Sequence, residues 1–233
     1  NTISTHFNSP VDFCSFHQRS INLVIEEQDP ESWILAIDCS YIPKSGKYTI
    51  GLGKYWSGCA SRAILGLEIS VGALVKADAS ETYAVDVIQT PGDLSDKEGE
   101  LEDYTRTDFY INQLRRLVKR YPWIRYIVAD GYYSKVKFVD GIRQTDLHLI
   151  SKLRADANLR YLYDPKESTG RKRKYDGKVK FDDLSRFDHV GQIDGFDLYT
   201  KIVNSVRLKR NIRLVCLVNQ KGKKKKHILL FST

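Results

Sequence analysis

Two short apolar runs, Trp33-Ile-Leu-Ala-Ile37 and Tyr126-Ile-Val-Ala129, each lead directly into an aspartate, Asp38 and Asp130. Runs of this length, bounded by turn residues (Ser40 after the first, Gly131 after the second), read as buried strands. A carboxylate at the mouth of a buried strand is costly to keep there without a partner. Two of them point to a shared cation, the usual basis of a Mg²⁺ site for phosphoryl transfer. The plainer alternative is that each aspartate only opens a turn, a role Asp often fills. The pair, in this strand order, favours the metal site.

Composition narrows the class. A chain of 233 residues is long enough for one large domain or one domain with an inserted subdomain. Its apolar fraction of 42% and charged fraction of 28% are those of an ordinary globular protein. No run is long enough for a membrane helix, and no signal peptide is visible. Cys14, Cys39, Cys59 and Cys216 have no CxxC spacing and read as reduced thiols of an intracellular protein. The formal charge of +8 favours a polyanionic partner. The chain contains no methionine and stops after an apolar strand-like run, so it is expected to be a piece of a longer protein.

Along the chain, the pattern predicts a short helix at 16–27 and then strands at 33–39, 48–56 and 63–75. Joined by turns, these strands would pair as an antiparallel meander. A further strand-like segment covers 82–89. The acidic, Gly-containing stretch 91–105 reads as an exposed loop. Over 107–121, Phe109, Ile111, Leu114, Leu117 and Val118 fall at helical spacing. Asp108 near the start and Lys119 and Arg120 at the end complement the helix dipole, and Pro122 closes the helix. A strand at 126–130, a helix at 134–145 and a strand at 147–152 form a crossover. It leaves Asp130 at the carboxyl end of its strand, the edge where open α/β sheets place ligands. After about residue 154 helical periodicity disappears. Short strands at 178–181, 189–193, 196–203, 212–218 and 228–231 alternate with turns and basic stretches. The division is a lead-in at 1–30, an α/β core at 31–158 and a β-rich subdomain at 159–233.

The strand order is that of a ribonuclease H-like mixed sheet. Four segments then carry a specific resemblance: Ala36-Ile-Asp-Cys-Ser-Tyr-Ile-Pro-Lys-Ser-Gly46, Gly51-Leu-Gly-Lys-Tyr-Trp-Ser-Gly58, Val128-Ala-Asp-Gly-Tyr-Tyr-Ser-Lys135 and Leu149-Ile-Ser-Lys-Leu-Arg-Ala-Asp-Ala157. In this order and spacing they resemble the DDE transposases of bacterial insertion sequences, in the branch where a β-strand insertion separates the second and third acidic residues. The resemblance implies an α/β ribonuclease H-like fold with residues 159–233 as the insertion. It implies an Asp-Asp-Glu triad whose first two members are Asp38 and Asp130, both metal ligands for Mg²⁺ or Mn²⁺. It also implies transposon-end and target DNA as partners, a homodimer or larger synaptic assembly, and a cytoplasmic, nucleoid-associated location in a bacterium. The third carboxylate belongs on a helix in a Tyr-Arg-Glu-Lys-like context, which this sequence lacks. The chain is therefore expected to be truncated before it and to cut poorly alone. Within the chain, Glu68 is the nearest stand-in.

Basic residues are the candidates for DNA contact: Lys44 and Lys47 beside the first aspartate, Arg171, Lys172, Arg173 and Lys174, then Arg207, Lys209 and Arg210, and Lys223, Lys224, Lys225 and Lys226. Such clusters neutralise phosphates and release counterions without reading sequence. Solvated hairpin tips are the plainer reading of the same runs. Two other functions stay open at this level: a nuclease that only hydrolyses DNA, and a non-catalytic DNA-binding remnant or partner subunit.

Overall fold

The computed structural model describes residues 12–25, 28–46, 48–94, 104–164, 173–219 and 226–233. Helix α1 (Phe13–Val24) begins earlier than its periodicity suggests, because the Asp12 side chain caps it by accepting from the Ser15 amide at 3.0 Å. Strands β1 (Trp33–Pro43), β2 (Gly53–Ser57), β3 (Arg62–Lys76) and β4 (Thr82–Gln89) follow, then α2 (Arg106–Arg120). Next come β5 (Tyr126–Ala129), a single 3-10 turn (Gly131–Tyr133), α3 (Val136–Arg143) and β6 (His148–Lys152). The rest is β-structure: β7 (Leu159–Leu162), β8 (Tyr175–Lys178), β9 (Asp188–Ile193), β10 (Phe196–Ser205), β11 (Arg210–Asn219) and β12 (Lys226–Ser232).

All of these strands join one mixed sheet, in the order β2-β3-β1-β5-β6-β12-β11-β10-β7-β8, with β4 on β3 and β9 on β10. β1, β5 and β6 are mutually parallel, and the other pairings are antiparallel. This is the ribonuclease H-like α/β arrangement expected from the sequence. The simple meander is not found. β1 pairs with β3 along its whole length, from Trp33↔Lys76 to Pro43↔Gly66, and β2 reaches only the far edge of β3. The reason is length: β3 is long enough for β2 and β4 to share its outer edge, β2 on 62–66 and β4 on 69–75. Residues 48–52 form turns, with Gly51 at φ +76°, and deliver a β2 of only five residues.

The helices cover one face. Trp33, Leu35 and Ile37 of β1, Ile127 and Ala129 of β5 and Leu149 of β6 are buried there, with Leu114 and Leu117 of α2 and Phe138, Val139 and Ile142 of α3. α2 seats closely because β3 is bare at Gly72, where a Cβ would fall 2.6 Å from a Leu117 methyl. On the opposite face, Ile34, Ala36, Val71, Ala73, Val128 and Ile150 are only half-buried. Apolar residues on both faces are what a parallel strand in the middle of a sheet requires. No helix among the described residues is long and apolar enough to cross a membrane.

Candidate active site

Register brings the two aspartates together. β1 and β5 pair in parallel as Leu35↔Ile127, Ala36↔Val128 and Ile37↔Ala129. One further step in the same register sets Asp38 opposite Asp130. Neighbouring strands lie about 4.8 Å apart, and register partners project to the same face. Since Ile37 and Ala129 point into the helix-covered core, the aspartates belong to the other face, and both are solvent-exposed. β1 runs on past Asp38 to Pro43, whereas β5 ends at Ala129. Asp38 therefore sits where β1 loses its parallel partner and its edge opens.

Local hydrogen bonds hold each carboxylate. Asp38 Oδ1 accepts from the Cys39 amide at 2.8 Å, and Asp130 Oδ1 accepts from the Tyr132 amide at 2.8 Å, capping the 3-10 turn. The Asp130 carbonyl accepts from Ser151 Oγ at 2.8 Å, which ties the end of β5 to β6. The Asp130 carboxyl is pushed above the usual carboxylate range, chiefly by partial burial; the bond from Tyr132 works against this, and the charge of Asp38 adds to it. The Asp38 charge thus acts on the Asp130 carboxyl from the adjoining strand. Their hard oxygens, set on two adjoining strands, suit Mg²⁺ or Mn²⁺. Among the described residues, no third Asp, Glu, His or Cys completes a metal-binding cluster with them.

Glu68 is not that third group. It lies on the helix-facing side of β3, is buried, and accepts a 2.6 Å hydrogen bond from the Tyr110 hydroxyl. Side chains alternate along a strand. The register Asp38↔Val71 and Cys39↔Ser70 thus puts Glu68 with Ser70 and Cys39, behind the plane that carries Asp38. It belongs to a polar floor under the site. Cys39 Sγ lies 3.1 Å from the Tyr133 hydroxyl, and the Tyr133 ring packs at 5.4 Å against Tyr110 and at 4.8 Å against Phe138. Burial pushes up both the Cys39 thiol and the Tyr133 hydroxyl, so both stay protonated and act as hydrogen-bonding and packing groups. Tyr132 is 39% exposed, and its ring carries the Lys135 ammonium 3.8 Å from its centroid.

The basic candidates are dispersed. Lys44 is exposed just beyond the end of β1. Arg173 and Lys174 are exposed before β8, the strand at the far end of the sheet order. Arg207 and Lys209 are exposed on the turn between β10 and β11, Lys209 at φ +54°. Arg210 is different: its guanidinium is ion-paired with Asp140 of α3 and donates to the Leu208 carbonyl, which occupies it in holding the β10–β11 hairpin on the helix. Lys47, Arg171, Lys172 and Lys223, Lys224 and Lys225 lie outside the described residues; Lys226 opens β12, and its side chain is also outside them.

Sequence reasoning passed over Lys152 and Arg154. β5 and β6 pair as Val128↔Ile150 and Ala129↔Ser151, so the next step sets Lys152 opposite Asp130. No local sequence signal marks Lys152; its place follows from the pairing of the two strands. Arg154 makes a two-point ion pair with Asp156 at 3.0 and 3.2 Å.

Comparison with known proteins identifies the family. A family model described as DDE superfamily endonuclease matches residues 8–192. No curated protein matches the chain.

Proposed function

The chain belongs to the DDE superfamily endonucleases, and from that premise we propose that it forms the catalytic core of a DNA transposase of the insertion-sequence type. Endonuclease domains of this family act on DNA. The observation that carries the reading is the register that aligns Asp38 with Asp130 on adjoining parallel strands. Asp38 and Asp130 would hold the divalent metal, each through a carboxylate with one oxygen fixed by a backbone amide. When bound there, Mg²⁺ or Mn²⁺ supplies charge neutralisation and Lewis acidity for phosphoryl transfer. The chain's own contribution is position: rigid strands fix the oxygens, and the floor of Cys39, Tyr133 and Tyr110 keeps the helix side dry. Residues 159–233 are the inserted subdomain and supply basic surface for DNA. The active form is a homodimer or larger assembly bridging two transposon ends in a bacterial cytoplasm.

Transposition and simple hydrolysis differ in their products. The complete protein, incubated with transposon-end DNA, a target plasmid and Mg²⁺, is expected to yield both cut ends and joined end–target molecules on a gel. Cut ends without joined products would reduce the function to hydrolysis. Binding with no cutting would leave the DNA-binding remnant.

A further inference from the structure

A cleft of about 280 Å³ opens directly beside Asp130. Its walls are the turn after Asp130 (Gly131, Ser134), the end of β6 (Lys152) and the β10–β11 turn (Arg207). Three of its lining residues are cationic, Lys152, Arg154 and Arg207, against one acid, Asp156. Arg154 and Asp156 satisfy each other. Lys152 and Arg207 are exposed and make no ion pair among the described residues. Two unpaired cations facing one concavity are a site for an anion with several oxygens.

The cleft is also rigidly joined to the aspartates. The register steps that align Asp38 with Asp130 and Asp130 with Lys152 make one row across β1, β5 and β6: carboxylate, carboxylate, ammonium. Ser134 Oγ donates to the Lys152 carbonyl at 3.0 Å, and a Cβ on Gly131 would stand 3.4 Å from that same oxygen. The backbone of Lys152 is thereby fixed against the turn that presents Asp130. Neighbouring positions in such a row are about 4.8 Å apart, and phosphates along one DNA strand are spaced at about the same scale or somewhat wider. A lysine arm can reach the phosphate next to the one held at the carboxylates.

We propose that this cleft binds the DNA backbone phosphate adjoining the scissile one, with Lys152 and Arg207 gripping its oxygens. The proposal rests on the reading that Asp38 and Asp130 mark the cutting site. Each phosphate contact contributes about one ion to the salt dependence of binding. In the 233-residue chain itself, Lys152→Glu and Arg207→Glu are each expected to weaken binding of an end-labelled DNA oligonucleotide about five- to tenfold at low salt, and to flatten the log–log salt slope by about one. Lys152→Arg should restore both. Lys119→Glu, a charge reversal at an exposed position on α2, should change neither. Unchanged affinity and slope in Lys152→Glu and Arg207→Glu would overturn the proposal, as would weakened binding with an unchanged slope. If the cleft proposal alone fails, Asp38→Asn still abolishes cleavage in the complete protein. If Asp38→Asn cuts normally, it is the underlying reading that fails.

Discussion

Asp38→Ala and Asp130→Ala in the complete protein are each expected to lower DNA cleavage by at least about 10³-fold while leaving DNA affinity intact. The magnitude follows from what the carboxylates do. A bound divalent ion contributes several kcal/mol of charge stabilisation to phosphoryl transfer, and each 1.36 kcal/mol is about tenfold in rate. Neither side chain packs in the core, so its removal leaves no cavity. The Asp130 charge in fact opposes folding in the absence of metal. Because the folded state holds Asp130 above its ordinary range, its ionised form costs stability. That cost is absent below the unfolded-state value and fully present once the pH exceeds the folded-state one. Metal-free Asp130→Asn should therefore melt no lower than the parent at neutral pH, and its melting temperature should stop responding to added Mn²⁺. Lost cleavage together with a lower melting temperature would mean that the aspartate holds the fold rather than the ion. Intact cleavage would remove both residues from the site.

The largest structural effect is expected at Phe138. Its side chain is fully buried on α3, with its ring 4.8 Å from that of Tyr133. Truncating a buried phenylalanine to alanine costs about 3–5 kcal/mol, the lost transfer of the ring to the interior plus the cavity left behind. For a chain of this size that is a fall of about 6–20 °C in melting temperature. Phe138→Leu, which refills most of the volume, should cost about 1.5 kcal/mol or less. The position matters to the site because Tyr133 ends the turn that begins at Asp130. Thermal unfolding of the two variants measures the effect. A loss below about 1 kcal/mol in Phe138→Ala would show that the floor under Asp130 is not packed as described.

The parts of the fold legible from sequence were those written in local pattern. Helix α2 was readable because its apolar residues recur at helical spacing between Asp108 and Pro122. The strands carrying Asp38 and Asp130 were readable because uninterrupted apolar runs of that length have few other fates. Other features depended on pairing, which local pattern does not encode. Around Glu68, β3 alternates Leu65, Leu67, Ile69 and Val71 with Gly66, Glu68 and Ser70, a pattern that by itself would send the carboxylate to solvent and the apolar residues to the core. Only the register against β1 turns it toward Tyr110. The meander expectation failed for a similar reason: the length of β3, not the order of the strands, decides its partners. β7, Leu-Arg-Tyr-Leu, is too short to announce itself and is defined by pairing with β10 and β8. Lys152 carried no signal as a residue type. Its place beside Asp130 comes from two parallel strands ending at the same level.

The claim on which the account turns is that Asp38 and Asp130 grip the same divalent ion. Anomalous scattering from crystals of this chain grown with saturating Mn²⁺ tests it directly. The account predicts a peak within about 2–2.5 Å of a carboxylate oxygen from both residues. Ordered carboxylates with no peak between them, or Mn²⁺ held only by other side chains, would contradict it.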